Sequence, residues 1–284
     1  MKKKIGIAVK AKADALEKAV QLEKWLKERG VEVVFKPNTP PLLEGNLKDD
    51  KPRAAKDISC VVSLGGDGTF LSAVHWVNNS GVPVLGINMG NVGFLTEAPK
   101  EQLFSIMERV LSDNYSIEKR MLLTATVFRD KNKVASHTVL NDVVVNIGTL
   151  ARITHLDAYV DDNYLATFKG DGIIVSTPTG STAYSIAAGG PIIYPQLETI
   201  MITPICPFTT TNRSIVLPDS VTVKIKIRKK NSDTFLTLDG QIGLSISDED
   251  TVIVKRAVHD LNMVRVQEQR FFDVLNTKLK WNSA

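Results

Sequence analysis

The sequence predicts two domains: an α/β domain with a doubly wound parallel sheet, followed by a mainly antiparallel β domain. Over the first hundred residues, short apolar runs alternate with segments of helical periodicity, and this alternation is typical of a parallel sheet covered by helices. From Tyr115 onward the chain is instead rich in short β patterns, which indicate antiparallel pairing. We predict the first domain over residues 1–99 and the second over residues 100–266.

The first domain is predicted to contain strands at residues 5–9, 31–35, 58–62 and 82–87. A helix over residues 14–29 carries an apolar stripe at helical spacing and ends at Gly30; the stripe comprises Leu16, Val20, Leu22 and Leu26. A second helix follows the segment GGDGT at residues 65–69, and the segment NMGNVGF follows the fourth strand at residues 88–94. Ligands of doubly wound sheets bind beyond the carboxyl ends of the strands, where both segments lie.

The second domain is predicted to contain strands at residues 122–129, 134–147, 153–160, 164–168, 173–176, 220–228, 234–238 and 251–256. The segment VDDNY at residues 160–164 predicts a hairpin turn. Residues 270–281 have a helical pattern, and we expect the C-terminal helix, within residues 267–284, to pack back on the first domain.

Composition restricts the classes of function. The hydrophobic fraction of 43% and the charged fraction of 23% are ordinary for a globular protein. The net charge of +4 is mild, and the basic clusters lack the interleaved aromatic residues of nucleic-acid binders. No apolar run reaches the length of a membrane span or a signal peptide. We predict a cytoplasmic protein that binds neither nucleic acid nor membranes.

Metal sites built from histidine and cysteine are not indicated. The chain has two cysteines and four scattered histidines, without the spacing of a metal site or a disulfide framework. We therefore assign no metal-ligating residue. The moderate basicity would still attract a polyanionic small molecule.

The GGDGT segment places a carboxylate, Asp67, among three glycines at a strand–helix junction. One interpretation is an ordinary Asp-Gly turn. The other is a backbone cradle for phosphate at a helix N-terminus, in which Asp67 accepts a proton from an attacking hydroxyl or binds a metal. The P-loop motif GxxxxGK[ST] is missing, and the dinucleotide fingerprint GxGxxG is incomplete because Leu71 occupies its final position.

A second segment, DGIIVSTPTGSTAYSIAAGGP at residues 171–191, is more specific. A short strand leads into five hydroxyl side chains between Ser176 and Thr182, followed by Tyr184. This composition suits contacts to ribose, phosphate and adenine. The alternative is a polar loop with a tight helix-packing patch.

Together, GGDGT, STPTGSTAYS and AGGP resemble the NAD kinase family. Five further blocks agree with the resemblance in the same order: VLGINMGNVGFLT, LNDVVV, TPICP, VLP and LDGQ. The resemblance implies a fold of the NAD kinase/diacylglycerol kinase type, with a Rossmann-like first domain. It also implies transfer of the γ-phosphate of ATP, or of phosphate from polyphosphate, to the 2′-hydroxyl of the adenosine ribose of NAD, with Mg²⁺ or Mn²⁺. The family forms homodimers or homotetramers.

The resemblance also implies roles for individual residues. Asp67 is the proton acceptor, and Gly68 lies beside it. The residues that match nucleotide-binding positions are Gly68, Phe94, Asn141, Asp142, Arg152, Lys169, Asp171, Thr182, Ala183, Tyr184, Ser185, Ile186, Ala187 and Gln241. Without the resemblance, Asn141-Asp142 would be interpreted as a turn, Arg152 as a surface residue and Gln241 as part of an Asp-Gly turn.

The sequence is also compatible with two other functions. A lipid or sugar kinase could share GGDGT alone, although the helix that follows reads FLSAVHWV and lacks the Glu-x-x-Asn-Gly pattern of lipid kinases. A non-catalytic NADP-binding regulator would use nearly the same binding residues.

Overall fold

The computed structural model describes residues 3–36, 42–43, 57–90, 93–96, 98–148, 154–209, 212–228, 234–266 and 271–281. The chain divides into two compact units. Unit 1 comprises Met1–Asn38, Pro52–Lys119 and Leu261–Ala284, and unit 2 comprises Thr39–Lys51 and Arg120–Asp260.

The described residues contain twenty strands: β1 (Lys4–Val9), β2 (Glu32–Phe35), β3 (Leu42–Leu43), β4 (Cys60–Gly65), β5 (Val84–Asn88), β6 (Ala98–Pro99), β7 (Ser116–Arg120), β8 (Leu123–Arg129), β9 (Asn132–Val139), β10 (Asp142–Ile147), β11 (Thr154–Val160), β12 (Asn163–Gly170), β13 (Gly172–Ser176), β14 (Thr199–Ile205), β15 (Ile215–Pro218), β16 (Val223–Ile227), β17 (Thr234–Leu238), β18 (Ile242–Ile246), β19 (Asp250–Arg256) and β20 (Leu261–Arg265). The α-helices are α1 (Ala13–Glu28), α2 (Asp67–Val77), α3 (Leu103–Leu111), α4 (Tyr184–Ala187) and α5 (Phe271–Leu279). Short 3₁₀ turns cover Asn78–Ser80, Lys100–Gln102 and Thr179–Thr182. In this described part of the chain, no helix combines the length and apolar character needed to cross a membrane.

Unit 1 is built on one sheet with the strand order β2-β1-β4-β5-β20-β7, and β6 pairs with β5. Strands β2, β1, β4, β5 and β20 pair in parallel. Every residue of β4 and β5 is buried, as expected of strands covered on both faces. The predicted doubly wound α/β fold is confirmed.

Helix α1 packs through a different stripe from the predicted one. Its buried residues are Ala15, Ala19, Leu22 and Leu26, whereas Leu16 is 46% exposed and Val20 is 62% exposed. The buried positions follow the spacing of one helix face, to which small alanine side chains contribute in place of the larger apolar ones. The prediction was therefore right for the helix and wrong for half of its buried face.

The boundary between the units differs from the predicted one. Helix α3 buries Leu103, Ile106, Met107 and Val110 in the core of unit 1. Strand β20 joins the same sheet, with Met263 opposite Val84. Residues 100–119 and 261–266 therefore belong to unit 1, and α5 is grouped with it as well. A strand's own sequence does not show which sheet it enters.

Unit 2 contains two antiparallel sheets that share one hydrophobic core. The first has the order β15-β14-β13-β10-β17-β18-β3, in which only the short β3 pairs in parallel, and the second has the order β12-β11-β16-β19-β8-β9. Val143 and Val145 from the first sheet lie in the same core as Ala158 and Ile225 from the second, as in a β-sandwich. The predicted antiparallel β fold of this part of the chain is confirmed.

Three hairpins of unit 2 turn through residue pairs that both have positive φ. These pairs are Asp130-Lys131, Asp161-Asp162 and Asp239-Gly240. Positive φ at both central residues defines a type I′ turn, which matches the twist of the flanking strands. The second pair lies in the predicted VDDNY hairpin, which the structure confirms by pairing β11 with β12.

One buried carboxylate makes the stability of unit 2 sensitive to acid. The Arg129 guanidinium donates two hydrogen bonds of 2.9 and 2.8 Å to buried Asp250, and the Ser247 N–H donates a third of 2.8 Å. Burial alone would raise the pKa of Asp250, but these donors outweigh it and lower the pKa. A carboxyl with a depressed folded pKa stabilises the protein above its unfolded pKa, and this stability is lost as the pH falls below about 4.

We expect Arg129→Met to lower the free energy of unfolding at pH 7 by about 1–3 kcal/mol, because a buried carboxylate loses its charged donor. The drop in Tm on acidification should also become smaller than in the wild type. Thermal unfolding between pH 3 and pH 8 measures both effects. Lys27→Met is the control, since it breaks only an exposed i,i+4 pair with Glu23. Equal losses in the two variants would contradict the prediction.

Candidate active site

Asp67 lies where strand β4 gives way to helix α2. Gly66 precedes it in extended backbone, and Asp67 is the first residue of the helix. Its Oδ2 accepts the Phe94 N–H and its Oδ1 accepts the Leu95 N–H, both at 3.0 Å. The carboxylate of GGDGT is thus held by the loop that follows β5, the neighbouring strand in the sheet. The structure brings together the two glycine-rich segments that the sequence singled out.

The glycines around Asp67 have two different roles. A Cβ added at Gly93 would lie 2.0 Å from Asp67 Oδ1, and one added at Gly65 would lie 2.2 Å from Thr69 Oγ1. These two glycines permit close packing. At Gly66 and Gly68, in contrast, an added Cβ would meet no atom within 4 Å other than those of its chain neighbours and its own helix. This side of the α2 N-terminus therefore has room for a ligand.

Unit 2 contains a cleft of about 410 Å³ on the outer face of its first sheet. Its lining residues are Asn141, Asp142, Val144, Asn146, Ala183, Tyr184, Thr237, Asp239 and Gly240. Four of them were predicted as nucleotide-binding residues: Asn141, Asp142, Ala183 and Tyr184. The structure therefore places four of the fourteen predicted nucleotide positions around a common cavity, together with five residues that were not predicted from the sequence.

Strand alternation explains this lining. Val143 and Val145 enter the core of unit 2, so Asp142, Val144 and Asn146 face the opposite side, where the cleft lies. Thr237 lies opposite Val144 in the neighbouring strand β17. The alternation within LNDVVVN is visible in the sequence, so Asn146 could have been predicted to face the same side as Asp142.

Asp142 has an unusual electrostatic environment for a carboxyl group. Its side chain is 4% exposed, and this burial raises its pKa. The charge of Asp239 raises it further, whereas a hydrogen bond from the Tyr184 backbone N–H lowers it, with a result of about 7. A carboxyl whose pKa is raised in this way holds its proton at higher pH than an exposed one, and in the protonated form it can donate as well as accept a hydrogen bond.

Several hydroxyl groups of the STPTG loop are engaged within the protein. Ser176, Thr177, Thr179 and Ser181 are buried. Thr177 Oγ1 donates to the Leu140 carbonyl at 2.6 Å, and Ser181 Oγ donates to the Pro178 carbonyl at 2.6 Å. For Thr177 and Ser181, the structure favours the tightly packed polar loop over the predicted contacts with a ligand.

The other predicted nucleotide residues lie outside the cleft lining. Ser185 is fully buried, and its hydroxyl lies 3.0 Å from that of Thr203, so this side chain supports the protein interior. Thr182 Oγ1 donates to the Thr179 carbonyl at 3.2 Å. The remaining ones are exposed or half-buried: Phe94, Lys169, Asp171, Ile186, Ala187 and Gln241. Gly68 is exposed next to Asp67, and Arg152 lies outside the described residues.

Asp239 is the principal residue that the sequence reading missed. Its carboxylate accepts the backbone N–H groups of Leu140, Asn141 and Asp142 at 2.9, 2.7 and 3.1 Å. The LDGQ block contains it, but the Asp-Gly pair indicated only a turn. Its partners lie 97 to 99 residues away along the chain, so no local pattern could have revealed the contact.

Comparison with known proteins assigns the family. Residues 5–115 match the ATP-NAD kinase N-terminal domain, and residues 140–266 match the ATP-NAD kinase C-terminal domain. The curated NAD kinase of Desulfatibacillum aliphaticivorans is 48% identical over 282 residues, which are 99% of each chain. The chain belongs to the NAD kinase family. The family, the fold class and the kinase class predicted from the sequence are thereby confirmed.

Further relatives agree with this assignment to the NAD kinase family. The NAD kinase of Geobacter sulfurreducens is 44% identical over 266 residues, 93% of each chain. The crystal structure of yeast NADH kinase complexed with NADH superposes with a TM-score of 0.86 at 28% identity, covering 100% of this chain and 89% of that one. An NAD kinase from Archaeoglobus fulgidus in complex with ATP has the same fold, with a TM-score of 0.74 at 23% identity and 99% coverage of each chain.

Proposed function

We propose that this protein transfers the γ-phosphate of ATP to the 2′-hydroxyl of the adenosine ribose of NAD, giving NADP, with Asp67 as the proton acceptor. The observation that carries the proposal is the placement of Asp67 in a member of this family. Two backbone N–H groups orient its carboxylate, which lies at the N-terminus of α2. Next to it, the positions of Gly66 and Gly68 leave space for a substrate.

The chemistry follows from what a secondary hydroxyl needs. Such a hydroxyl is a poor nucleophile until its proton has an acceptor, and a positioned base typically contributes ~10²–10⁴-fold. In this mechanism, Asp67 takes the proton as the bond from the 2′-oxygen to the γ-phosphorus forms. The bond from the γ-phosphorus to the β,γ-bridging oxygen breaks, and ADP leaves. The positive end of the α2 dipole favours the phosphate charge, and the space beside Gly66 and Gly68 admits it.

NAD binding is assigned to unit 2. Asn141 offers a donor and an acceptor to a purine edge, and Asp142 lies beside it in the cleft. Tyr184 is 44% exposed, which leaves its ring available to an adenine. We propose that unit 1 is the α/β domain that supplies Asp67, and that unit 2 is the NAD-binding domain.

A divalent cation, Mg²⁺ or Mn²⁺, is proposed to enter with ATP. The described residues contain no group of three or more His, Cys, Asp or Glu side chains that could hold a metal ion. Mg²⁺ in kinases is commonly held by substrate phosphates and one or two carboxylates, a mode that needs no such group of protein side chains. The cation supplies neutralisation of phosphate charge. Assembly into a homodimer or homotetramer and location in the cytoplasm stay predictions.

The first experiment measures NADP formation from NAD, ATP and Mg²⁺ with an NADP-specific dehydrogenase as the readout. Polyphosphate replaces ATP in a second series, and NADH replaces NAD in a third. We expect turnover with ATP and NAD. If NADP forms from neither donor, the proposal fails. Diacylglycerol phosphorylation and NADP binding then test the lipid kinase and the regulator.

Asn141→Ala tests the assignment of the cleft. We expect the Kd for NAD to rise by about tenfold or more, because a buried polar contact to the purine is lost. Isothermal titration with NAD measures this change. Asn163→Ala is the control, since Asn163 is an exposed residue that follows the Asp161-Asp162 turn. An unchanged Kd in Asn141→Ala would remove this residue from the binding site.

A further inference from the structure

The segment Leu140–Asp142 is fixed by a carboxylate that belongs to a distant hairpin. Asp239 Oδ2 accepts the Leu140 N–H at 2.9 Å, and Oδ1 accepts the N–H groups of Asn141 at 2.7 Å and Asp142 at 3.1 Å. The Asp239 N–H donates back to the Asp142 carbonyl at 3.0 Å. All four residues are buried. One side chain thus satisfies three buried donors that precede or begin strand β10, where an unpaired donor would be costly.

Among the common turn residues, aspartate alone combines tolerance of positive φ with two acceptor oxygens on a short side chain. The turn of β17 and β18 places Asp239 at φ +51° and Gly240 at φ +64°, a conformation that Asp and Asn tolerate better than most residues. Three N–H groups converge on the two oxygens of one short side chain. An asparagine would direct an amide N–H group toward one of these donors and lose that hydrogen bond.

The opposite side of the same segment is held by the STPTG loop. The Thr177 N–H donates to the Asn141 carbonyl at 2.9 Å, and Thr177 Oγ1 donates to the Leu140 carbonyl at 2.6 Å. A Cβ at Gly180 would lie 2.0 Å from the Asn141 carbonyl oxygen. The N–H groups of the segment are therefore bound by Asp239, and two of its carbonyl groups are bound by Thr177.

We propose that Asp239 is a positioning residue for NAD binding: it holds Asn141 and Asp142 at the cleft through their backbone and, together with Thr177, fixes the segment from both sides. The proposal rests on the function proposed above. It assigns a role to a carboxylate that the phosphoryl-transfer chemistry itself does not use, and it predicts an effect on dinucleotide affinity rather than on the chemical step.

Asp239 also acts on Asp142 through its charge. Burial is the largest cause of the raised pKa of Asp142, and the charge of Asp239 is the second. The ionisable side chains of the cleft are Asp142, Asp239 and Tyr184, and Ser176 of β13 lies opposite Asp142 in register. Removal of the Asp239 charge should therefore lower the pKa of Asp142. A residue that acted only by packing would leave this titration unchanged.

The test compares Asp239→Asn with Asp161→Asn in the full chain. Asp161 is a matched control, because it also begins a type I′ turn of unit 2 and accepts a backbone N–H, that of Thr222 at 2.7 Å, but it is exposed. The Kd for NAD is measured by isothermal titration from pH 5.5 to 8.5, and KM and kcat are measured in the coupled assay.

We expect Asp239→Asn to raise the Kd and KM for NAD by about tenfold, with a smaller effect on kcat. If Asp142 contributes to NAD binding, the affinity should depend on pH through its raised pKa, and the midpoint of that dependence should lie lower in Asp239→Asn than in the wild type. Asp161→Asn should match the wild type. A wild-type Kd and pH profile in Asp239→Asn would overturn the proposal.

A second variant covers the case in which Asp239→Asn does not fold. Thr177→Val removes the hydroxyl on the opposite side and keeps the Asp239 charge, so it should raise the Kd for NAD without moving the pH midpoint. An unchanged Kd in this variant would contradict the proposal that Asp239 and Thr177 together hold residues 140–142 in place. Hydrogen exchange at the amides of residues 140–142 provides a readout that needs no NAD: protection in the wild type supports the contact even if no NADP forms, and rapid exchange opposes it.

Discussion

Asp67→Asn is expected to lower kcat for NADP formation by about 10²–10⁴-fold, the usual contribution of a positioned base. The asparagine keeps the size of the side chain but cannot accept the proton of the 2′-hydroxyl. The Kd for NAD should remain within about twofold of the wild-type value, because the residues assigned to NAD binding lie in unit 2. A substitution that affects only the chemical step lowers kcat and leaves substrate binding unchanged. Coupled kinetics and isothermal titration on the same preparation measure the two quantities.

The control for this variant is Asp14→Asn. Asp14 is an acidic residue in the first turn of α1, so the substitution removes the same charge from an equivalent helix position in unit 1. It should leave kcat unchanged. If Asp67→Asn retained more than about a tenth of the wild-type kcat, Asp67 would not be the base, and its two hydrogen bonds would be interpreted as a loop contact.

Gly93→Ala is expected to lower kcat by about 10²-fold, because it displaces the Asp67 carboxylate. The added methyl group would lie 2.0 Å from Oδ1, so either the carboxylate or the loop must move. A misplacement of about 1 Å at a reacting group can reduce turnover to this extent. The KM for NAD should change much less, and a pre-steady-state measurement of the first turnover assigns the loss to the chemical step.

Gly90→Ala is the matched control for Gly93→Ala. It adds the same methyl group to the same loop, at a position where no atom lies within 4 Å. Both substitutions restrict the backbone of the unfolded chain to the same degree, so the difference in kcat between them isolates the contact with Asp67. Similar values of kcat in the two variants would show that the close approach at Gly93 has no bearing on catalysis.

The sequence was most informative about local order. The alternation of strands and helices predicted the doubly wound sheet, and the VDDNY turn predicted a hairpin that the structure contains. It was less informative about which face of an element is buried. On α1, small alanines occupy the buried stripe and two larger apolar residues remain exposed, so residue size alone misjudged the orientation.

The site was predictable to the extent that its residues stand in recognisable segments. Asp67, Asn141, Asp142 and Tyr184 lie in such segments. The hydroxyl group of Thr177 lies in one as well, yet it donates its hydrogen bond to the buried Leu140 carbonyl rather than facing a ligand. Asp239 could not be found, because its role depends on a contact across almost a hundred residues. Composition shows which groups a segment carries, whereas only the tertiary structure shows their partners.

The placement of β20 has a consequence for how the protein is made. This strand lies between β5 and β7 in the sheet of unit 1, yet it is formed by residues 261–265 near the end of the chain. The ribosome releases the chain from its N-terminus, so the sheet lacks an interior strand until all of unit 2 has been synthesised. A nascent chain therefore carries β5 without that neighbour while unit 2 is being synthesised, and an unpaired strand edge is prone to aggregation. The sheet of the unit that carries Asp67 can therefore be completed only after unit 2 has been synthesised.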